Sequence, residues 1–385
     1  MLNFEFYNPT RIVFGNETIP RLDELVPAEA RVLVLYGGQS ARVNGTLGEV
    51  REALGSREVQ EFGGIEPNPS YETLMQAVEL VRSQRLDFLL AVGGGSVIDG
   101  TKFVAAAVGY DANAWDILET RGVNIRGALP FGSVLTLPAT GSEMNQSAVV
   151  TRRETQAKLP FRSPHVFPRF SILDPSKTYT LPVRQLANGV ADAFTHVMEQ
   201  YLTYPVDARV QDRFAEGLLQ TLIEIAPQVL DESADYDSRA NLVWSATLAL
   251  NGLIGAGVPQ DWSTHMIGHE LTALHGIDHA RTLAIVLPAN LQVRRQAKRH
   301  KLLQYAARVW QITEGDEEQR IDAAIERTRA FFEKLGLPTH LADYQLGVND
   351  IDALISQLET HRLTRLGESG DVTPAVCRRV LEASL

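Results

Sequence analysis

The apolar positions in the first half of the chain form short, nearly continuous runs. The runs at 31–36 and 88–92 are typical of strands that are covered on both faces of a parallel sheet. Further strands are expected at 4–7, 11–14, 58–62 and 132–137, and helices alternate with the later strands, at 47–54, 71–81 and 97–108. The pattern predicts an N-terminal α/β domain with a Rossmann-like parallel sheet.

From Thr180 onward, apolar residues recur at helical spacing almost to the end of the chain. The predicted helices lie at 182–201, 241–254, 261–274, 281–287, 321–334 and 372–383. The alternation of strands and helices stops around Leu173-Asp174-Pro175, so we place a boundary near residue 178. We therefore expect an α/β domain at 1–178 and an all-helical domain at 179–385.

The composition is that of an ordinary globular protein with two cores. The 385 residues carry a net charge of −11 without an acidic tail or a basic block, which argues against nucleic acid and against an anionic membrane as partners. Cys377 is the only cysteine, so an intrachain disulfide and a thiolate-rich metal site are excluded. No secretory signal precedes residue 30. We expect a cytoplasmic protein that acts on a small molecule.

Three turns that are rich in glycine or hydroxyl groups follow predicted strands. Gly93-Gly94-Gly95-Ser96 runs into the helix at 97–108, where an accessible backbone and unpaired N–H groups could hold a pyrophosphate. It matches neither Gly-x-Gly-x-x-Gly nor the P-loop, so a plain strand-to-helix turn is an alternative. The other two turns are Gly37-Gly38-Gln39-Ser40 and Pro138-Ala139-Thr140-Gly141-Ser142. Because ligands of open α/β sheets bind at the carboxyl ends of strands, we expect all three turns to share one edge.

Potential metal ligands form two groups in the helical half. Asp192 and His196 are spaced i, i+4 on the predicted helix at 182–201, so the carboxylate and the imidazole point the same way. The second group contains four of the nine histidines of the chain: His265, His269, His275 and His279. A single histidine is more often a hydrogen-bonded core residue, whereas clustered imidazoles are typical ligands of transition metals.

The spacing in the second group predicts a helix that carries His265 and His269 and ends at Gly276. His279 then opens the next helix. Glu270 follows His269, but Ala273 stands where the zinc-protease motif His-Glu-x-x-His needs its second histidine, so that motif is absent.

Five motifs, taken together, resemble the iron-containing alcohol dehydrogenase family. In chain order they are Pro9-Thr10-Arg11-Ile12-Val13-Phe14-Gly15, Gly93-Gly94-Gly95-Ser96-x-x-Asp99-x-x-Lys102, Thr140-Gly141-Ser142-Glu143, Asn188-Gly189-x-x-Asp192-x3-His196 and His265-x3-His269-x5-His275-Gly276-x-x-His279. Segments 62–69 and 255–262 are most similar to its branch of NADPH-dependent aldehyde reductases and butanol dehydrogenases. The resemblance implies a Rossmann-like sheet domain followed by a helical bundle, as in dehydroquinate synthases.

The resemblance also implies site residues. The implied ligands of one divalent metal, Fe²⁺ or Zn²⁺, are Asp192, His196, His265 and His279. The implied contacts to the dinucleotide are Gly94, Gly95, Ser96, Asp99, Thr136, Thr140, Ser142 and Lys158. The turn at 37–40 adds Gly37, Gly38 and Ser40 as cofactor candidates on its own chemistry. The turn at 137–143 is shorter than in many members of the family, and Gln39 replaces a glycine that is common in the branch. For Asp99 and Lys102, an ion pair on a solvated helix face is an alternative.

The activity that the resemblance implies is NADPH-dependent reduction of a short-chain aldehyde to an alcohol, with the metal polarising the carbonyl in the cleft between the domains. His269, one turn from His265, is the candidate proton relay, and a supporting or core role is the alternative. We expect a homodimer. The rival functions are a polyol dehydrogenase of the glycerol type, a cyclase of the same architecture, and a nucleotide- or metal-binding protein without catalysis.

The turn at 37–40 predicts NADPH rather than NADH. Enzymes that use NAD commonly place an acidic residue near the adenosine ribose, where it would repel a 2′-phosphate. Here the turn contains no carboxylate and offers the Ser40 hydroxyl and the Gln39 amide, and Arg42 could add positive charge. The alternative is that Gly37 and Gly38 only make a tight turn.

Overall fold

The structure is a computed structural model that describes residues 1–231 and 235–385. Within these residues there are eight strands: β1 Arg11–Phe14, β2 Arg31–Tyr36, β3 Glu58–Phe62, β4 Phe88–Gly94, β5 Phe131–Leu137, β6 Ser147–Arg152, β7 Ala157–Arg162 and β8 Phe170–Leu173. The same residues form fifteen α-helices: α1 Leu22–Leu25, α2 Ser40–Val43, α3 Thr46–Leu54, α4 Tyr71–Gln84, α5 Gly95–Ala107, α6 Asp116–Glu119, α7 Val183–Tyr201, α8 Arg209–Leu230, α9 Tyr236–Ala249, α10 Ser263–His275, α11 His279–Val293, α12 Arg299–Arg308, α13 Glu317–Lys334, α14 Val348–Thr360 and α15 Pro374–Glu382.

The chain divides into two compact units. We call one the sheet unit, and it consists of Tyr7–Pro182 and Ala234–Thr247. We call the other the helical unit, and it consists of Met1–Phe6, Val183–Ser233 and Leu248–Leu385. Each unit includes a segment from the opposite half of the sequence, and the domain limits 1–178 and 179–385 stay a prediction.

The sheet unit is built on six parallel strands in the order β1-β8-β5-β4-β2-β3. Successive residues of β2 and β4 point to opposite faces, so each strand contributes to two cores. Leu33 and Leu89 pack on the face that α4 and α5 cover, whereas Val32 and Leu90 pack on the face that α3 covers. This two-sided burial explains why the strands read as nearly continuous apolar runs.

Two features of the sheet unit differ from the sequence prediction. The predicted strand at 4–7 is wrong, because residues 1–10 contain no strand. Met1–Phe6 instead belongs to the helical unit, where the Leu2 N–H donates to the carbonyl of Gly257 at 2.9 Å. The hairpin β6–β7 and the strand β8 were not predicted, although β8 lies between β1 and β5 in the sheet.

The helical unit contains long helices, as predicted. Two of them, α7 and α10, carry most of the candidate metal-site residues described below. α7 is buried from Leu186 to Tyr201 without interruption, so its polar residues in that stretch must find partners inside the protein. A second core joins α10, α11, α14 and α15 through residues such as Leu271, Ile285 and Leu354. Among the described helices, none is both long enough and apolar enough to cross a membrane.

Candidate active site

The first pair of predicted metal ligands lies in the buried part of α7. Asp192 and His196 are one helical turn apart, and only 3% and 4% of their surfaces are exposed. A carboxylate and an imidazole are costly to bury unless each has polar or ionic partners, because burial removes their hydration. The helix therefore places the two predicted ligands side by side in a buried environment.

The second pair comes from α10 and α11, which are connected by a short turn. α10 ends at His275, and Gly276 follows in the left-handed region with φ of 68°, as the sequence predicted. His279 is the first residue of α11, also as predicted. The sharp turn reverses the chain so that His279 returns to His265, and their ring centroids are 5.2 Å apart.

Three imidazole nitrogens surround one carboxylate oxygen. The Nε2 atoms of His196, His265 and His279 lie 3.6, 3.7 and 3.8 Å from Asp192 Oδ1. Four tetrahedral ligands that each bind a cation at about 2.1 Å would be about 3.4 Å apart. The separations are too long for hydrogen bonds but close to this value, so the donor set fits a divalent cation.

The fit differs among the four side chains. One donor atom from each of Asp192, His265 and His279 lies within 4.8 Å of the other two. His196 is placed by its approach to Asp192 and by its ring, which stacks on His265 with centroids 4.6 Å apart. All four side chains that the sequence singled out are thus together in the helical unit.

His269, the predicted proton relay, lies against this group. It is one turn after His265 in α10 and only 3% exposed. Its ring centroid is 5.1 Å from that of His279 and 6.4 Å from that of His265. The structure therefore brings a fourth imidazole next to two of the candidate ligands.

Glu199 is a member of the site that sequence reasoning missed. It lies on α7, is 2% exposed, and its Oε2 contacts Nδ1 of His265, while its Oε1 accepts a hydrogen bond from the Thr264 N–H at 2.7 Å. Burial raises the pKa of Glu199. Burial also opposes the charged form of His265, but the carboxylates of Glu199 and Asp192 outweigh it and raise the pKa of His265 to about 9. The available signal was positional, because Glu199 follows His196 by three residues on the same face of the helix.

The three predicted turns meet at one edge of the sheet, as expected. They follow β2, β4 and β5, which are neighbouring parallel strands. β4 runs through Gly94 and α5 begins at Gly95, so the strand and the helix are joined without a loop. A Cβ atom on Gly95 would lie 2.3 Å from Thr140 Oγ1, and one on Gly94 would lie 2.9 Å from Cβ of Leu137. Only glycine at positions 94 and 95 permits the turn at 93–96 to approach the end of β5 and the turn at 138–142 so closely.

Asp99, Lys102 and Ser142 form a polar cluster inside the sheet unit. Lys102 is fully buried and donates to Ser142 Oγ at 2.8 Å, to Asn145 Oδ1 at 2.9 Å and to the carbonyl of Ser147 at 2.7 Å. The Ser142 hydroxyl donates to Asp99 Oδ1 at 2.6 Å. Burial lowers the pKa of Lys102 to about 8, although Asp99 opposes the shift. The alternative of an ion pair on a solvated helix face is therefore wrong.

The remaining cofactor candidates lie on three other elements of the sheet unit. Lys158 on β7 is buried and donates to Asn68 Oδ1 at 2.8 Å, and the Asn68 N–H donates to Ser96 Oγ at 3.2 Å. Thr136 is half-buried near the end of β5, and Ser40 is the first residue of α2.

The turn at 37–40 leaves room beside the backbone at one of its two glycines. A Cβ atom on Gly37 would lie 3.2 Å from the carbonyl oxygen of Ile65, whereas one on Gly38 would meet no atom within 4 Å. Arg42 donates to the Tyr36 hydroxyl at 2.6 Å and to Glu61 Oε2 at 3.2 Å. Its guanidinium is therefore already engaged by a neighbouring carboxylate.

Known proteins are similar to this chain over its whole length. A family model described as iron-containing alcohol dehydrogenase matches residues 9–175, and one for the C-terminal part of the Fe-containing alcohol dehydrogenase family matches residues 186–364. The NADPH-dependent aldehyde reductase YqhD of Escherichia coli (strain K12) is 61% identical, and 100% of both chains is covered. A probable NADH-dependent butanol dehydrogenase 1 of Bacillus subtilis (strain 168) is 42% identical over 92% of each chain.

The fold has a correspondingly close match among solved structures. The crystal structure of YqhD from E. coli K-12 has a TM-score of 0.99 and 60% sequence identity, and the match covers 100% of this chain and 99% of that chain. The predicted combination of a parallel sheet with a helical bundle is confirmed.

Proposed function

The chain belongs to the iron-containing alcohol dehydrogenase family, and we propose that it reduces short-chain aldehydes to alcohols with NADPH. The family predicted from the five motifs is thus confirmed. The observation that carries the proposal is the donor cluster, in which three imidazole nitrogens surround one oxygen of Asp192. Full-length similarity to an NADPH-dependent aldehyde reductase supports the substrate class and the cofactor.

We propose that Asp192, His196, His265 and His279 hold one divalent cation, Fe²⁺ or Zn²⁺. One carboxylate and three imidazoles suit either ion, and Zn²⁺ is usually the stronger binder of the two. When bound, the cation supplies Lewis-acid polarisation of the aldehyde oxygen. The protein contributes a buried setting, since Asp192, His196 and His265 are each no more than 5% exposed, and a dry site strengthens every electrostatic interaction inside it.

We propose that His269 delivers the proton that the product alcohol requires. Its ring lies 5.1 Å from that of His279 between centroids, so it is next to the donor cluster without being one of the four proposed ligands. An imidazole changes its charge near neutral pH and can therefore give up a proton there.

We propose that NADPH, which supplies the hydride, binds at the sheet edge formed by the turns at 37–40, 93–96 and 138–142, which we call the glycine edge. The residues proposed to contact it are Gly37, Gly38, Ser40, Gly94, Gly95, Ser96, Asp99, Thr136, Thr140, Ser142 and Lys158. The start of α5 offers N–H groups and the positive end of a helix dipole to phosphate. Ser142 and Asp99 also hydrogen-bond to each other, which holds the turn in shape.

We also propose a cytoplasmic homodimer. The single cysteine, Cys377, is buried and burial raises its pKa to about 12, so it is an inert thiol that suits a reducing compartment. Several exposed apolar side chains at the N-terminus, namely Met1, Leu2, Phe4 and Phe6, support self-association.

The test of the function is NADPH consumption by the zinc-loaded and iron-loaded protein with butanal. We expect turnover that exceeds the reverse oxidation of butanol at neutral pH, and glycerol oxidation that is much slower. Binding of NADPH and metal without turnover of any aldehyde would overturn the proposal in favour of a binding protein. Metal content is measured in parallel for His265→Ala and His279→Ala, and full occupancy in both would refute the ligand assignment.

A further inference from the structure

We propose that Glu199 is a positioning residue for His265: it holds the proton of the imidazole on Nδ1 and so presents the Nε2 lone pair to the metal site. The inference rests on the metal site of the proposed function. It concerns a residue that lies outside the five family motifs and is not one of the four proposed ligands.

The argument begins with the two oxygens of the Glu199 carboxylate. Oε1 accepts the backbone N–H of Thr264 at 2.7 Å, and Oε2 contacts Nδ1 of His265. A neutral imidazole carries one N–H, and an ionised carboxylate can only accept hydrogen bonds. With Glu199 ionised, the proton of a neutral His265 is therefore on Nδ1.

The opposite nitrogen of the same ring faces the donor cluster. Nε2 of His265 lies 3.7 Å from Asp192 Oδ1, whereas Nδ1 is turned toward Glu199. Rotation of the ring by half a turn would put a carbon, Cε1, where Nε2 now faces Asp192 and another carbon, Cδ2, where Nδ1 now contacts Glu199. One carboxylate thus determines both the tautomer and the orientation of the ligand.

Hydrogen bonds connect the part of α7 that contains Glu199 to the segment just before α10. The carbonyl of Glu199 accepts the Asp261 N–H at 2.9 Å, and Asp261 Oδ1 accepts the Ser263 N–H at 3.0 Å. The buried ammonium of Lys298 lies 2.7 Å from Asp261 Oδ2. These bonds fix the segment before His265 relative to α7, so the carboxylate meets the ring in one arrangement.

A purely structural role makes a different prediction from a positioning role. If Glu199 only stabilised the fold, its replacement would lower the unfolding temperature but leave the folded site with its normal affinity. If it positions His265, its replacement lowers metal affinity about 10–100-fold, which is the usual effect of losing such a partner. Metal affinity therefore distinguishes the two roles without reference to turnover.

Glu199→Gln is the most direct variant, because it keeps the shape and removes the second acceptor oxygen. The single amide oxygen can serve Thr264 or His265, and the NH₂ group then faces the other donor. Glu199→Asp keeps the charge but withdraws it by one methylene. Glu216→Gln is the matched control, since Glu216 is also a buried glutamate of the helical unit, where its Oε1 accepts from the Tyr201 hydroxyl at 3.0 Å.

The experiment measures Zn²⁺ affinity of the full-length chain by competition with a chromogenic chelator, together with the visible spectrum of the Co²⁺-loaded protein. We expect Glu199→Gln to bind Zn²⁺ about 10–100-fold more weakly and to change the Co²⁺ bands, Glu199→Asp to lie between it and the parent, and Glu216→Gln to match the parent in both. Folding is checked by circular dichroism, and Glu199→Asp decides the question if the glutamine variant does not fold.

Two results would overturn the inference. One is parental Zn²⁺ affinity with a parental Co²⁺ spectrum in a folded Glu199 variant, and the other is an equal loss of affinity in Glu216→Gln. Failure of the proposed function would look different, because the parent itself would then bind no metal or would reduce no aldehyde while binding Zn²⁺ normally.

Discussion

At the scale of single residues, Gly38 offers the sharpest test of cofactor choice. Its backbone lies outside the left-handed region, and an added Cβ would meet no atom within 4 Å, so a side chain can be introduced without strain. We predict that Gly38→Asp lowers the preference for NADPH over NADH, because a carboxylate near the 2′-phosphate costs on the order of a few kcal/mol in a partly screened site. The measurement is the ratio of kcat/KM with the two cofactors.

Gly38→Asn separates charge from bulk in this test. Asparagine has the size of aspartate without its charge, so we expect it to leave more of the NADPH preference intact. The reading of the turn is contradicted if the parent prefers NADH, or if the aspartate and asparagine variants show the same ratio. The comparison matters because relatives of this chain include both NADPH-dependent and NADH-dependent proteins.

The residues that could be identified from sequence are those whose partners are near in the chain or recur in a motif. Asp192 and His196 are four residues apart, and their shared face follows from helix geometry alone. The position of Glu199 on the face of His196 follows from the same geometry, but its contact with a histidine 66 residues away does not. The sequence also allowed Lys102 to be a solvated ion-pair partner of Asp99. It could not show that Lys102 is buried, because Ser142 and Asn145, which accept its hydrogen bonds, lie 40 and 43 residues further along the chain.

At the scale of elements, the junction between β4 and α5 depends on a glycine. A Cβ atom on Gly95 would lie 2.3 Å from Oγ1 and 2.4 Å from Cγ2 of Thr140, and neither atom belongs to a long side chain that can move aside. We predict that Gly95→Ala lowers the free energy of unfolding by about 1–3 kcal/mol, as overpacking does, and weakens NADPH binding. Urea denaturation and cofactor titration measure the two effects.

Gly48→Ala is the control for the loss of a glycine. Gly48 lies inside α3, and a Cβ atom there would meet nothing within 4 Å. Because alanine is a better helix former, we expect this variant to gain about 0.5–1 kcal/mol. A Gly95→Ala protein as stable as the parent would show that the helix and the Thr140 turn are not packed as described.

A histidine–glutamate pair links α14 to α10 and should make stability depend on pH. His361 Nδ1 lies 2.8 Å from Oε1 of the buried Glu270, and this hydrogen bond raises the pKa of His361 above its unfolded value of about 6.5. A raised pKa means that the folded state binds the proton more tightly. The stabilisation is therefore complete below the unfolded pKa and is lost as the pH rises through the folded pKa.

We predict that His361→Gln loses about 1.5–3 kcal/mol of unfolding free energy at about pH 5.5 and less at about pH 8.5, since the imidazole of His361 is charged only at the lower pH. Denaturant unfolding at both values measures the difference. Glu270→Gln should show the same pH trend, and the double variant shows whether the two losses arise from one interaction. Equal losses at both pH values would contradict the assignment.

The elements that could be predicted from sequence are those with a strong internal pattern. β2 and β4 were found because both faces are buried, and α10 was found with its end because Gly276 marks the stop. β8 has only four residues and gains its place from β1 and β5 on either side, which are far from it in the chain. The segment at 4–7 was predicted as a strand of the sheet domain, but its residues up to Phe6 belong to the helical unit, so the local pattern misleads.

At the scale of the whole molecule, two compact units with separate cores account for the two periodicities in the sequence. The sheet unit carries the glycine edge, and the helical unit carries all four candidate ligands and Glu199. The sequence could assign the cofactor turns to the first half and the metal ligands to the second half. The turns follow strands of a parallel sheet, whereas the ligands are spaced along helices. It could not place α9, whose residues up to Thr247 join the sheet unit from within the helical half. There Thr247 Oγ1 hydrogen-bonds to the buried Glu143, over 104 residues of sequence.

The last prediction concerns self-association of the whole chain. Met1, Leu2, Phe4 and Phe6 are 57%, 46%, 52% and 46% exposed, and water-exposed apolar groups in close succession mark an interaction surface more often than scattered ones do. We predict that the parent sediments as a dimer and that Phe4→Glu combined with Phe6→Glu shifts it toward monomer, because burying two carboxylates at an apolar contact is unfavourable. Analytical ultracentrifugation over a range of concentrations measures the dissociation constant.

Val348→Glu is the control, because Val348 is an apolar residue of the helical unit that is at least as exposed, at 64%. It should leave the dissociation constant unchanged, which separates an effect of the N-terminal surface from an effect of added negative charge on a chain that already carries −11. The double variant should keep the parental circular dichroism spectrum, since both replaced residues lie outside the helices and strands. A monomeric parent, or a double variant that dimerises as tightly as Val348→Glu, would show that these residues are not the contact.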